Sequence, residues 1–224
     1  GVFSAPVVVA SVEHGWTLTS ATEICDARDQ GATGQLERIL GASAAGAERI
    51  EDLLMQATDA LDCVGRPLAA GIQGLDDADH EYGTIFRRGD LLREFRGDSH
   101  TIAWVHAGIT AVELGLLTEL YWGLPLRSYS RTRGWSDDEF DEAEDALRSR
   151  GLLSAQGTFT AEGRSFREAI ERETDSLMAP VMTALGDNAD ELVTLLASWG
   201  RRIRNAKGYL SSGPHDLASR GQAL

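Results

Sequence analysis

Apolar residues recur three and four positions apart along most of the chain, which is the spacing of one helix face. Segment 17–29 reads as a helix, and 47–62 places Ala47, Ile50, Leu53, Leu54, Ala57 and Leu61 on one side. Gly65-Arg66-Pro67 then breaks the chain, because proline lacks an amide donor and restricts its predecessor. The polar loop Asp76–His80 leads into a helix at about 82–95, whose apolar set is Ile85, Phe86, Leu91, Leu92 and Phe95. Asp98 or Ser99 is suited to cap one long helix reaching to about Trp122, with Ile102, Val105, Ile109, Val112, Leu116, Leu117 and Leu120 as its stripe. Gly123 and Pro125 end it.

Beyond that point the punctuation sharpens. Ser136 followed by Glu139 has the spacing of a capping box and starts a helix over 136–150, with Phe140, Ala143 and Leu147 inward and Gly151 as its stop. Two short apolar pieces around Gln156-Gly157 predict a small hairpin. Thr160 caps a further helix carrying Phe166, Ile170, Leu177, Val181 and Leu185, kinked at Pro180. A last helix starts at 187–190 and aligns Leu192, Leu195, Leu196, Trp199 and Ile203. The fold class that follows is mainly α. It is a winged helix-turn-helix with a small two-stranded wing (97–210), an N-terminal helical region (1–96) and a flexible tail (211–224).

The segments Gly134-Trp135-Ser136, Leu147-Arg148-Ser149-Arg150-Gly151-Leu152-Leu153 and Phe159-Thr160-Ala161-Glu162-Gly163-Arg164 resemble the core of MarR-type regulators. Three further blocks are similar to an actinobacterial family often labelled SalK-like. They are Gly65-Arg66-Pro67-Leu68-Ala69-Ala70, Arg96-Gly97-Asp98-Ser99-His100 and Arg131-Thr132-Arg133-Gly134-Trp135-Ser136. The resemblance covers roughly residues 5–200. It implies a regulator-type fold, a homodimer and a segment missing ahead of Gly1.

Charge changes the functional side of that picture. The chain has 35 Asp+Glu against 21 Lys+Arg, a formal charge of −14, and Lys207 is its sole lysine. Such a balance disfavours nonspecific binding to polyanions, whose affinity comes from cations that neutralise phosphates. Segment 136–150 holds seven carboxylates, Asp137, Asp138, Glu139, Asp141, Glu142, Glu144 and Asp145, against Arg148 and Arg150, a net −5 where a reading helix would face DNA. The wing tip, 154–158, carries no cation. The countercase rests on Arg127, Arg131 and Arg133 just upstream, which either reach phosphates or pair with the neighbouring carboxylates.

Ligand chemistry has separate candidates. In one continuous helix, His106 and Glu113 fall about 20° apart on the wheel and about 10 Å apart along the axis, inside the apolar stripe. There they either line the two ends of one pocket or satisfy buried backbone groups. Arg96, Asp98 and His100 combine a cation, a cap and a titratable ring, and Trp135 is an anchor or a stacking surface. No nucleophile elbow, phosphate-binding glycine loop or zinc-protease motif occurs, and neither metal nor cofactor is expected. Cys25 and Cys63 make no disulfide framework, and the apolar run Val2–Val12 is too short to cross a bilayer, which together imply a cytoplasmic protein.

Three functions remain. The first is a regulatory module answering to an unknown small molecule, with weak or lost DNA binding. The others are a DNA-binding transcriptional regulator, and a secondary-metabolism enzyme using Arg96, His100, His106 and Glu113.

Overall fold

The computed structural model describes residues 2–76, 78 and 80–208. Its helices are α1 (Ala5–Gly15), α2 (Ala21–Leu40), α3 (Ala47–Thr58), α4 (Pro67–Gln73), α5 (Glu81–His106), α6 (Ala111–Tyr121), α7 (Asp137–Ser149), α8 (Ala161–Leu177), α9 (Ala179–Leu185) and α10 (Ala189–Asn205). They form two compact units. One comprises residues to Leu18 with Ser99–Ser176; the other comprises Thr19–Asp98 with the chain from Leu177. The tail at 211–224 lies outside the described residues.

In the second unit, α3 explains its own placement. Its apolar positions Ile50, Leu53, Leu54 and Ala57 are all at most 2% exposed and pack with Tyr82, Phe95, Leu192 and Trp199. Tyr82 meets Trp199 edge-to-face at 5.5 Å and donates its hydroxyl proton to the Gly41 carbonyl at 2.7 Å, so its polar end is satisfied in the interior. Buried Asp90 receives Arg28 at 2.6 Å and Arg93 at 2.8 Å, and Arg87 is bound to Asp29. Buried charge is tolerated here because it is paired.

The first unit is built on Ala103, Trp104, Leu114, Leu116, Leu117, Phe140, Leu147, Leu153 and Ile170. The single helix expected over 99–122 does not form. α5 ends at His106, Gly108 takes φ +71°, and α6 starts anew at a bend of 108°. The cause is local. Thr110 accepts the Glu113 amide at 3.3 Å, and the Glu113 carboxylate accepts the Thr110 amide at 2.6 Å, which is a complete capping box. Asp98 is likewise no cap for its own helix. It lies inside α5, and its Oδ2 accepts the Leu68 and Ala69 amides at 2.9 and 3.0 Å, capping α4 from a distance.

Three other expectations shift. The helix expected from Thr160 through Leu185 is two, α8 and α9, divided at Met178 with Pro180 in the first turn of α9. α2 runs through Gly31 and Gly34 to Leu40, well past residue 29. The hairpin over 152–160 reduces to one antiparallel bridge, Leu153 to Phe159, and no strand forms among the described residues. That bridge rests on two backbone hydrogen bonds, the Ser154 amide to the Thr158 carbonyl at 2.9 Å and the Thr160 amide to the Leu152 carbonyl at 3.3 Å. Thr160 then caps α8 by accepting the Gly163 amide at 2.9 Å.

Candidate functional site

The segment joining α6 to α7 is organised by one buried carboxylate. Glu119, fully buried on α6, accepts the backbone amides of Tyr129 and Ser130 on Oε1, each at 2.6 Å, and the Arg127 amide on Oε2 at 2.6 Å. The Ser130 hydroxyl adds a fourth donor at 2.9 Å. Four donors on one side chain satisfy its oxygens and make its burial sustainable. The same clasp holds Arg127 at φ +61°, a conformation uncommon outside glycine. It aims the Arg127 side chain at α7.

There the guanidinium is consumed. Arg127 Nε donates to Glu144 at 2.7 Å and Nη2 to Asp141 at 2.6 Å. Arg148 donates to the other oxygen of Glu144 at 2.5 Å and to Asp145 at 3.0 Å. The hydrogen bond to Asp141, and then that to Glu144, holds Arg127 above its ordinary pKa; Glu144 does the same for Arg148. Glu139 sits below its ordinary value, chiefly because it accepts the Ser136 amide at the α7 capping box. The exposed positions of α7 include Asp137, Asp138, Asp141, Glu142 and Asp145.

The other two expected DNA-contacting arginines are placed differently. Arg133 lies over the rings of Phe3 and Tyr129, at 4.3 and 4.9 Å, and donates to the Tyr129 hydroxyl at 2.5 Å. Arg131 is exposed, and its Nε donates to the Ser128 carbonyl at 2.8 Å. The three do not make one cationic surface.

Between the start of α6 and α7 lies a cleft of about 380 Å³. Trp135, Val112, Ala111, Ala143 and Ala146 give it an apolar wall, and Glu113, Glu139 and Glu142 give it charge. Trp135 is fixed there by donating its indole N–H to the Val2 carbonyl at 3.1 Å. Of the six residues named as ligand contacts, the cleft unites Glu113 and Trp135. His106 is exposed at the last residue of α5 and is not among the lining residues. The helix break removes the shared stripe on which its pairing with Glu113 rested. His100 instead meets the buried Thr174 hydroxyl at 2.9 Å. Arg96 and Asp98 belong to the other unit, where Asp98 caps α4.

Sequence reasoning missed Glu119 altogether. Its only linear signal is a carboxylate amid Leu116, Leu117 and Leu120, on the buried side of a helix. Among the described residues, no group of three or more His, Cys, Asp or Glu is placed to hold a metal ion. No single described helix is long and apolar enough to cross a membrane.

A model described as a helix-turn-helix family matches residues 1–210. No curated protein and no solved structure matches the chain.

Proposed function

We infer, since the chain belongs to this helix-turn-helix family over residues 1–210, a baseline of a DNA-binding, regulatory-type domain. We propose that in this member the α7 surface has lost most of its phosphate affinity and the cleft beside it takes a small organic molecule. The protein would then be a cytoplasmic, ligand-responsive module of MarR-like, SalK-like kind. The observation that carries this is the capture of Arg127 and Arg148 by Glu144, Asp141 and Asp145. Phosphate binding draws its free energy from cations that exchange counterions for phosphates. Here those cations already hold carboxylates, and the surrounding side chains repel a polyanion.

The cleft supports the other half. Its volume lies within the range of small-molecule sites, and its lining follows their pattern of apolar wall with a few polar groups. Carboxylates from Glu113, Glu139 and Glu142 favour a neutral or cationic aromatic molecule over an anionic one. Gly163 of the Phe159–Arg164 motif has a steric role in the cleft's unit. A Cβ there would fall 1.9 Å from the Leu152 carbonyl oxygen, so glycine is what lets α8 close on the bridge-tied turn.

Fluorescence anisotropy on labelled duplex DNA tests the first half. Expected is a Kd weaker than about 100 μM at physiological salt with little salt dependence. Nanomolar, salt-sensitive binding to any genomic fragment would establish the second reading, a DNA-binding regulator, which the exposed Arg131 favours. Thermal shift with aromatic amines and aromatic carboxylates tests the second half. A ligand at 100 times its Kd adds about 2.7 kcal/mol and raises Tm by several degrees. The amines should do so and the carboxylates should not, and Trp135→Ala should abolish the effect. Stabilisation by neither class would sink the ligand site while leaving the DNA result standing.

A further inference from the structure

In the second unit, α5 touches α4 at both of its ends. Asp98 caps the α4 N-terminus. Beyond the α4 C-terminus, Ile72, Gln73 and Leu75 line a pocket of about 40 Å³ together with Arg87, Arg88 and Leu91 of α5. All six belong to that unit. Ile72, Leu75 and Leu91 make part of the wall apolar, and the two arginines bring positive charge.

Arg87 has an unmet requirement. Its side chain is 9% exposed. Nη2 is bound to Asp29, and Nη1 donates to the Asp76 carbonyl at 2.9 Å. Nε is buried and has no hydrogen-bond partner among the described residues. Buried donors are seldom left without an acceptor, and a donor on a cation bonds most strongly to an anion. Arg88 donates to Asp59 at 2.8 Å, but the Asp59 side chain is 57% exposed. Water screens that carboxylate, so it offsets only part of the Arg88 charge.

We infer that the pocket takes the carboxylate head of a short aliphatic acid. Arg87 Nε donates to one of its oxygens, and the alkyl stem rests on Ile72, Leu75 and Leu91. A water molecule would satisfy Nε but leave the positive charge and the apolar wall unanswered. Size sets the upper limit, because the pocket is about a quarter of the roughly 150 Å³ that encloses a benzene ring. The site therefore differs from the cleft beside α7 in unit, volume and charge preference, and does not rest on it.

The test follows arginine Nε–Hε signals of the ¹⁵N-labelled 224-residue chain by NMR at constant ionic strength. Arg87→Lys identifies the Arg87 signal by removing it. Butyrate should shift that signal saturably, with a Kd on the order of 1 mM. Affinity should fall about two- to fourfold per methylene through propionate to acetate. Leu75→Trp, which fills the pocket at a half-buried position, should abolish the shift with unchanged far-UV circular dichroism, whereas Trp135→Ala should leave it intact. The chain-length series in the parent stands without any variant. A signal that does not saturate by about 50 mM butyrate overturns the inference. So does a shift that benzoate reproduces at equal concentration, one that persists in folded Leu75→Trp, or one that Trp135→Ala removes.

Discussion

Glu119 shows how much of this site depends on a single side chain. Three backbone amides and a hydroxyl converge on it, with Arg127, Tyr129 and Ser130 as donors. Removing the carboxylate strands buried donors, so Glu119→Ala should cost about 3–5 kcal/mol. Glu119→Gln should cost less, about 2–3 kcal/mol, because its amide group must point at one of the same donors. Urea denaturation of both variants measures this, and equal, negligible losses would show that the clasp is not needed. Gly163 gives the steric counterpart. Moving the Leu152 carbonyl away from a new methyl group must displace the bridge-tied turn. Gly163→Ala should therefore lose about 2–3 kcal/mol, in the upper range for overpacked positions, where an ordinary helix glycine would gain from the same change. Cys63 is a third residue whose behaviour is set by its surroundings. Burial raises its thiol pKa, and at 8% exposure it should react with a thiol reagent well after the half-buried Cys25.

Among elements, the break between α5 and α6 separates what the sequence disclosed from what it concealed. The capping box at Ser136 and Glu139 was legible because a glycine and a polar stretch precede it. An identical box at Thr110 and Glu113 stood inside a continuous apolar stripe, and the stripe suggested one helix through it. Periodicity survives a sharp bend when both arms bury the same kind of surface, and Ile109 and Val112 are buried on either side of Thr110. Gly108 at φ +71° was the available sign. Thr110→Ala should cost about 1 kcal/mol, the usual loss at an N-cap, and a chemical-denaturation curve would register it. The starts of α7 and α8 were readable from their caps at Ser136 and Thr160, whereas α9, which has no side-chain cap, was hidden inside one expected helix and the wing was overestimated. The candidate site was legible in part. Its acidic α7 and Trp135 were visible as types, but the clasp from Glu119 joins residues eight to eleven positions apart through backbone amides that no side-chain pattern records.

For the molecule as a whole, the charge of −14 and the pI near 4.7 set its response to pH. Solubility should pass through a minimum near pH 4.7, which turbidity would detect. Stability should fall as well. Glu23, Glu139 and Glu191 all have lowered pKa values in the folded chain. Their contribution is complete above the unfolded glutamate value of about 4.3 and is lost as pH drops through the folded values. Melting temperature should thus decline below about pH 4, beyond any change near neutrality. The pairing at α7 has an evolutionary consequence too. Glu144 holds Arg127 on one oxygen and Arg148 on the other, so one codon change to glutamine deletes an anion and loosens two cations at once. That single change takes the 136–150 segment from a net −5 to −4 and leaves each guanidinium with one carboxylate partner fewer.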